Sequence, residues 1–200
     1  MAQNLDPSQF GKPFGPQGEE VGRLMAEGNK RINLWTISLM GNLANQSVLE
    51  IGFGPGIAVE ELIRLSQSDL VAGIDHSEVM LAQASLRNSD AIDDGRVELK
   101  LGSVSSLPYH DNFFDTVFSV NCFHFWPEPM AGLTEIQRVL KPNGLVAITI
   151  QPRWATSEEM VDEVGDDILQ WLNKISFRST RLEKKEFDPL SAVCAIGIKN

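Results

Sequence analysis

The segment Val48-Leu49-Glu50-Ile51-Gly52-Phe53-Gly54-Pro55-Gly56 constrains this chain more than any other. A short apolar strand runs into a turn with three glycines, and a helical pattern follows, with Ala58, Leu62 and Leu65 on one face. Glycines at such a turn let the backbone bend tightly and approach a ligand closely. The alternation continues downstream. Strands are predicted over 70–75, 97–101, 116–120 and 145–150. One helix opens at the N-cap Ser77, with Val79, Ala82 and Leu86 on one side, and another covers Pro129 to Leu140. Such strand–helix alternation means βαβ units, and apolar runs like Leu145 to Ile150 suit a parallel sheet covered on both faces.

What flanks this core is less regular. Residues 1–15 read as an arm carrying Phe10 and Phe14, followed by helices predicted over 17–26 and 29–44. The tail holds an acidic helix over 157–172 and strands over 177–184 and 192–198. The short link 187–191 lets those two strands pair antiparallel. The expected division is an N-terminal arm with helices over 1–46, a candidate lid, and a core over 47–200.

A strand ending in Asp75 lies 19 residues beyond Gly56. An acid at that place accepts hydrogen bonds from both hydroxyls of a ribose, which points to an adenosine-containing ligand. A dinucleotide site uses G-x-G-x-x-G and seats a pyrophosphate at the helix N-terminus. Here the spacing is G-x-G-x-G, Glu50 would repel a pyrophosphate, and Pro55 removes an N–H that a phosphate could use. An acid beside the turn favours a cationic group instead. S-adenosylmethionine, with its sulfonium and ammonium and no phosphate, matches this polarity.

Residues 48 to about 150 resemble the class I, Rossmann-like S-adenosylmethionine-dependent methyltransferases, with the nearest likeness to ubiquinone and menaquinone biosynthesis C-methyltransferases. Val48–Gly56 resembles that family's first motif, and Val71-Ala-Gly-Ile-Asp75-His-Ser77 its ribose-binding strand. Phe114–Val120 resembles its fourth strand, and Arg138–Gly144 the turn into its fifth. Four motifs in order carry far more than one glycine turn. The resemblance implies an α/β three-layer sandwich with a seven-stranded, mostly parallel sheet of order 3-2-1-4-5-7-6, strand 7 antiparallel. By the same resemblance Gly52, Phe53, Gly54 and Gly56 cradle the methionine end and Glu50 orients its ammonium. Asp75 holds the ribose with His76 beside it, and Met80 lines the adenine slot. Gly102-Ser103-Val104 follows the third strand, where the family commonly has Gly-Asp-Ala, so Ser103 replaces an acid. Asn121 contributes contacts near the sulfonium.

The segment Asn121-Cys-Phe-His-Phe-Trp126 supplies the remaining candidates. His124 is a candidate base or acceptor orienter, and a packing residue on the alternative reading. Phe123, Phe125 and Trp126 either wall an apolar acceptor pocket or pack, Cys122 reads as a small buried residue, and Trp154 is a further candidate to face the acceptor. The expected activity is methyl transfer to a small, partly apolar acceptor, giving S-adenosylhomocysteine (EC 2.1.1.-). The alternative is a non-catalytic cofactor-binding or partner-regulating protein of the same fold, which the loss of the acid at Ser103 leaves open.

Composition narrows the classes. A net charge of −10 over 200 residues argues against a nucleic-acid or anionic-membrane footprint. The chain lacks the Tyr-x-x-x-Lys of short-chain dehydrogenases: Tyr109, its one tyrosine, is followed four positions later by Phe113. Asn121-Cys122-Phe123 also lacks the Pro-Pro-aromatic of nucleic-acid amino-methyltransferases. The acids between Glu158 and Asp167 have no His among them and read as a solvated face rather than a metal site. Two distant cysteines, Cys122 and Cys194, and an N-terminus with no apolar h-region point to a reduced cytoplasmic protein with no signal peptide. No run spans a bilayer.

Overall fold

The computed structural model describes residues 5–200, and these form two compact units that divide between Ser103 and Val104. In the first unit, β1 (Ser47–Ile51), β2 (Leu70–Asp75) and β3 (Val97–Leu101) pair in parallel, with Val48 opposite Val71 and Ala72 opposite Glu98. Helices α1 (Gly15–Leu39), α2 (Ile57–Leu65), α3 (Glu78–Arg87) and the short α4 (Ser89–Asp93) complete it. In the second unit, β4 (Phe114–Val120) pairs in parallel with β5 (Leu140–Ile150). β7 (Ala192–Ile198) pairs antiparallel with β5 on one side and with β6 (Arg178–Lys185) on the other. Helices α5 (Pro129–Val139) and α6 (Glu158–Lys174) belong to this unit. The strand order is β3-β2-β1-β4-β5-β7-β6, as expected.

The central strands are apolar because both their faces are covered: Val48, Leu49, Val71, Ala72, Val146, Ala147 and Ile148 are fully buried. The last strand of the order, β6, is instead charged, with Arg178, Arg181, Lys184 and Lys185. Charge on an open edge discourages pairing with another chain. Lys184 ties that edge to α6 through Glu158, 3.0 Å away, and through Asp162. The acids of α6 therefore include paired members of a solvated face.

Three local expectations are corrected. The two helices predicted before β1 are one 25-residue helix, α1, running through Gly28 and ending at Leu39 rather than at 44. A single interior glycine costs only about 1 kcal/mol, and packing of α1 against α2 and α3 outweighs it. The buried face of α3 is Met80 and Ala84, continued by the C-cap Asn88, not Val79, Ala82 and Leu86; Leu86 is 81% exposed. Helix α4 was not foreseen. The described residues contain no helix long and apolar enough to cross a membrane.

Candidate functional site

The first unit gathers most of the predicted cofactor residues at the carboxyl ends of β1 and β2. Gly52 continues the ladder, donating its N–H to the Ile74 carbonyl at 2.8 Å. Gly52, Gly54 and Gly56 then take left-handed φ values of 75°, 52° and 80°. This region is strained for side chains with a Cβ, so the backbone itself favours glycine at all three positions. They differ in their surroundings. A Cβ on Gly54 would meet nothing within 4 Å, whereas one on Gly56 would lie 2.8 Å from the Ala84 Cβ and 2.7 Å from the Asn88 amide. Gly54 borders open space; Gly56 lets α2 begin flush against α3.

Phe53 turns inward. It is 3% exposed, and its ring covers Gly73 so closely that a Cβ there would approach it to 2.7 Å. The turn is also held from α3: Arg87 Nε donates to the Pro55 carbonyl at 2.9 Å, and Asn88 Nδ2 donates to the Gly56 carbonyl at 3.2 Å. Gly73, Arg87 and Asn88 were not foreseen. No spacing rule links them to the turn, since they reach it only through tertiary packing.

Two carboxylates sit at the mouth. Asp75 Oδ2 accepts from the Gly54 N–H and its Oδ1 from the Ser77 N–H, both at 2.9 Å, so this acid staples the glycine turn to the start of α3. Each carboxylate oxygen retains a second lone pair for another donor. Glu50 is 3% exposed, and its Oε2 is buried with no hydrogen-bond partner. Burial pushes the Glu50 carboxyl well above the ordinary carboxylate range, and the charge of Asp75 adds to it. Burial also raises Asp75, opposed by the N–H groups of Ser77 and Gly54. A buried acceptor without a donor is costly. A site with one unpartnered buried carboxylate, Glu50, and a second acid, Asp75, beside it is completed by a ligand rich in donors and positive charge. The residues therefore fit S-adenosylmethionine: an ammonium for Glu50 and ribose hydroxyls for Asp75.

The arm before α1 reaches the same place. His76 Nε2 lies 3.0 Å from the Gly11 carbonyl, and Ser77 Oγ donates to the Pro13 carbonyl at 2.6 Å. Ser77 also accepts from the Met80 N–H as the predicted cap of α3. Met80 is 1% exposed and packs beside Gly22 of α1. Gly102 donates its N–H to the Asp75 carbonyl at 2.8 Å, and Ser103 beside it is exposed.

The second unit holds the other candidates. Val104 is 7% exposed and packs beside Gly132 of α5. Asn121 follows β4 at φ 52°, a conformation Asn tolerates, and its Oδ1 accepts from the Gln151 N–H at 2.8 Å. A 3-10 turn, Phe123–Phe125, places His124 and Phe125 outward and Phe123 inward. His124 is exposed, yet its aromatic surroundings push its imidazole down to about 4. Its solvent-facing edge moderates that depression, and the direction makes the ring neutral at physiological pH. Cys122 Sγ accepts from Trp126 Nε1 at 3.4 Å, a packing arrangement.

Comparison with known proteins bears on this geometry. Residues 49–148 match the family described as a methyltransferase domain. The chain is 35% identical over 180 residues to the uncharacterised methyltransferase YdaC of Bacillus subtilis, covering 90% of this chain and 97% of that one. It belongs to the class I S-adenosylmethionine-dependent methyltransferases. A fatty-acid O-methyltransferase of Mycolicibacterium smegmatis is 30% identical over 178 residues, covering 81% of this methyltransferase but 61% of that protein. Among solved structures, a Methanococcus maripaludis protein assigned as an S-adenosyl-L-methionine-dependent methyltransferase superposes with a TM-score of 0.73 at 20% identity, covering 91% of this chain and 93% of that one. That likeness speaks to the fold. The cofactor of this methyltransferase is S-adenosylmethionine.

Proposed function

We propose that this methyltransferase transfers the cofactor's methyl group to a small, partly apolar acceptor, giving S-adenosylhomocysteine. The observation that carries the cofactor half of this reading is the buried, unpartnered Glu50 Oε2 beside Asp75. Glu50 binds the ammonium. Gly52, Phe53, Gly54 and Gly56 present turn backbone to the methionine end. Asp75 holds the ribose, with His76 and the arm over it. Met80, Gly102, Ser103 and Val104 serve the adenine side, and Ser103 offers a hydroxyl where a charge is usual. Asn121 contributes near the sulfonium. When bound, S-adenosylmethionine supplies a methyl group already activated by its sulfonium, so the protein's main tasks are alignment and exclusion of water.

His124 is the acceptor-side residue. A depressed imidazole is a weak base but stays neutral, which suits an orienting hydrogen bond better than proton abstraction. The arm and α1 act as the lid: the arm is latched by its Gly11 and Pro13 carbonyls and displays Phe10 and Phe14, which are 40% and 62% exposed. The relative named for fatty-acid O-methylation supports an acceptor with apolar surface. The acidic surface argues for neither nucleic acid nor anionic membrane as partner. The two free cysteines, with Cys194 buried in β7 and pushed up to about 12, suit a reducing cytoplasm.

The test is incubation with methyl-labelled cofactor and fractionated metabolite extract. A labelled small molecule recovered in organic solvent is the expected result. Cofactor binding without any labelled product across broad extracts would overturn the transfer reading in favour of a non-catalytic binding protein.

A further inference from the structure

The glycine turn is too permissive to fix its own shape. Gly52, Gly54 and Gly56 all sit in left-handed backbone, and glycine leaves that region at little cost. A surface that meets its ligand with backbone atoms binds well when that backbone is fixed beforehand. The bonds that fix it are therefore part of the site, wherever they originate.

Each peptide of the turn can be followed. The Gly54 N–H goes to Asp75 Oδ2 at 2.9 Å. The Gly56 N–H closes the turn on the Phe53 carbonyl at 3.0 Å. The Gly56 carbonyl accepts twice, from the Glu60 N–H at 3.1 Å and from Asn88 Nδ2 at 3.2 Å, so the first turn of α2 holds it even without Asn88. The Pro55 carbonyl is different: among the described residues its one donor is Arg87 Nε, at 2.9 Å. Pro55 also lacks an N–H with which to anchor itself. Helix α3 thus grips the turn from both of its ends. Asp75, tied to the N–H of the cap Ser77, takes Gly54, and Arg87, in the last turn, takes Pro55.

The rest of the Arg87 side chain has little else to do. Its ion pair with Glu60 Oε2 is 3.4 Å long, beyond the usual range for a hydrogen bond. The side chain is 33% exposed, so the core does not depend on it. Asn88 differs again, being buried and bonded to the Ala84 carbonyl at 2.9 Å, which makes it a residue of helix packing as well.

We propose that Arg87 is a positioning residue for cofactor binding: through the Pro55 carbonyl it fixes the glycine turn in the shape that receives the methionine end of S-adenosylmethionine. This rests on the reading of the turn as the cradle of that end. The role is geometric rather than one of charge, because a guanidinium repels a sulfonium and by charge alone would weaken S-adenosylmethionine binding.

The experiment separates the bond from the charge. Gln carries an amide nitrogen at the same place along the side chain that Nε holds in Arg, whereas Met has a methyl group there. The whole chain, Arg87→Gln, Arg87→Met and Gly54→Ala are titrated calorimetrically with S-adenosylhomocysteine and with S-adenosylmethionine, and amide exchange is followed by NMR. We expect Arg87→Met to stay folded and to lose about tenfold in affinity for both ligands, the scale of one hydrogen bond to a charged group. Its Gly54 and Gly56 amides exchange faster, while those of β1 exchange as in the parent. Arg87→Gln recovers most of the affinity and the slow exchange. Parent-like affinity in Arg87→Met, an equal loss in Arg87→Gln and Arg87→Met, or exchange that rises equally in β1 overturns the proposal. So does Arg87→Met that binds S-adenosylmethionine more tightly with S-adenosylhomocysteine unchanged, which would assign Arg87 a charge effect alone. Gly54→Ala that binds like the parent would sink the cradle reading and the proposal with it. Impaired Gly54→Ala beside parent-like Arg87→Met would sink the positioning role alone.

Discussion

Gly54 and Gly56 are two residues apart, share a left-handed backbone, and should answer the same substitution in opposite ways. At Gly56, with φ 80°, an alanine Cβ would stand 2.9 Å from the Ala84 Cα and 2.8 Å from its Cβ. Backbone of a packed helix cannot move aside cheaply. Left-handed strain of about 1–2 kcal/mol and overpacking of about 1–3 kcal/mol sum to a destabilisation of about 2–5 kcal/mol. At about 2–4 °C per kcal/mol for a chain of this size, the melting temperature should fall by roughly 4–20 °C. At Gly54, with φ 52°, the same Cβ meets nothing within 4 Å, so only the strain remains: about 1–2 kcal/mol and a few degrees. The added methyl would instead occupy the open side of the turn. Gly54→Ala should therefore weaken S-adenosylhomocysteine binding at least tenfold, about 1.4 kcal/mol, while staying folded. Thermal melts and calorimetric titrations of both variants decide the matter. Equal melting shifts, or normal cofactor binding by Gly54→Ala, would refute the distinction between a packing glycine and a ligand-facing one.

Three further expectations rest on the same site. Glu50 and Asp75 are both raised in the folded chain, so their contribution to stability is present below the unfolded carboxylate pKa and is lost as pH rises through the raised values. Melting temperature should thus rise as pH is lowered from about 8 toward 5, while affinity for S-adenosylhomocysteine falls because its ammonium needs an ionised Glu50. Glu50→Gln should flatten the melting trend and cost about tenfold or more in affinity, the scale of a charged hydrogen bond; parallel pH trends in the two measurements would contradict the assignment. His124, held down to about 4, should show no titration by NMR between about pH 5.5 and 8, and a midpoint near the ordinary histidine value would remove the argument for an orienting role. Ser77→Ala deletes both the α3 cap and the bond to the Pro13 carbonyl. It should lower stability by about 1 kcal/mol and speed chymotryptic cleavage at Phe10 and Phe14; an unchanged cleavage rate would mean that the arm is held elsewhere.

Much of the scaffold was legible because its signals are local. The bounds of β2, β3 and β7 match those read from apolar runs and turn residues, and Ser77 and Ser157 cap α3 and α6 as their hydroxyls allow. The glycine turn and Asp75 announced a cofactor of a particular charge because spacing and polarity are properties of the chain alone. The gap expected between helices over 17–26 and 29–44 does not occur, since packing carries α1 unbroken through Gly28. The face of α3 misled as well: Leu86 fits an apolar stripe, but Met80, Gln83, Ala84, Arg87 and the C-cap Asn88 are the residues that meet α1 and the glycine turn.

The alternation of strands and helices and the chemistry of the turn follow from patterns a few residues long, because backbone geometry repeats with period 2 or 3.6 wherever it occurs, whereas the order of the strands in the sheet was implied by the family resemblance. What each side chain does there depends on which distant surfaces come together. Gly56 became a packing residue through Ala84 and Asn88. Phe53 turned inward because Gly73 leaves room for its ring. Glu50 became a buried acceptor awaiting a donor, and the Phe123–Trp126 aromatics divided into a packed pair and residues turned outward toward Trp154. Those outcomes are set by contacts across the fold, and no one-dimensional spacing encodes them.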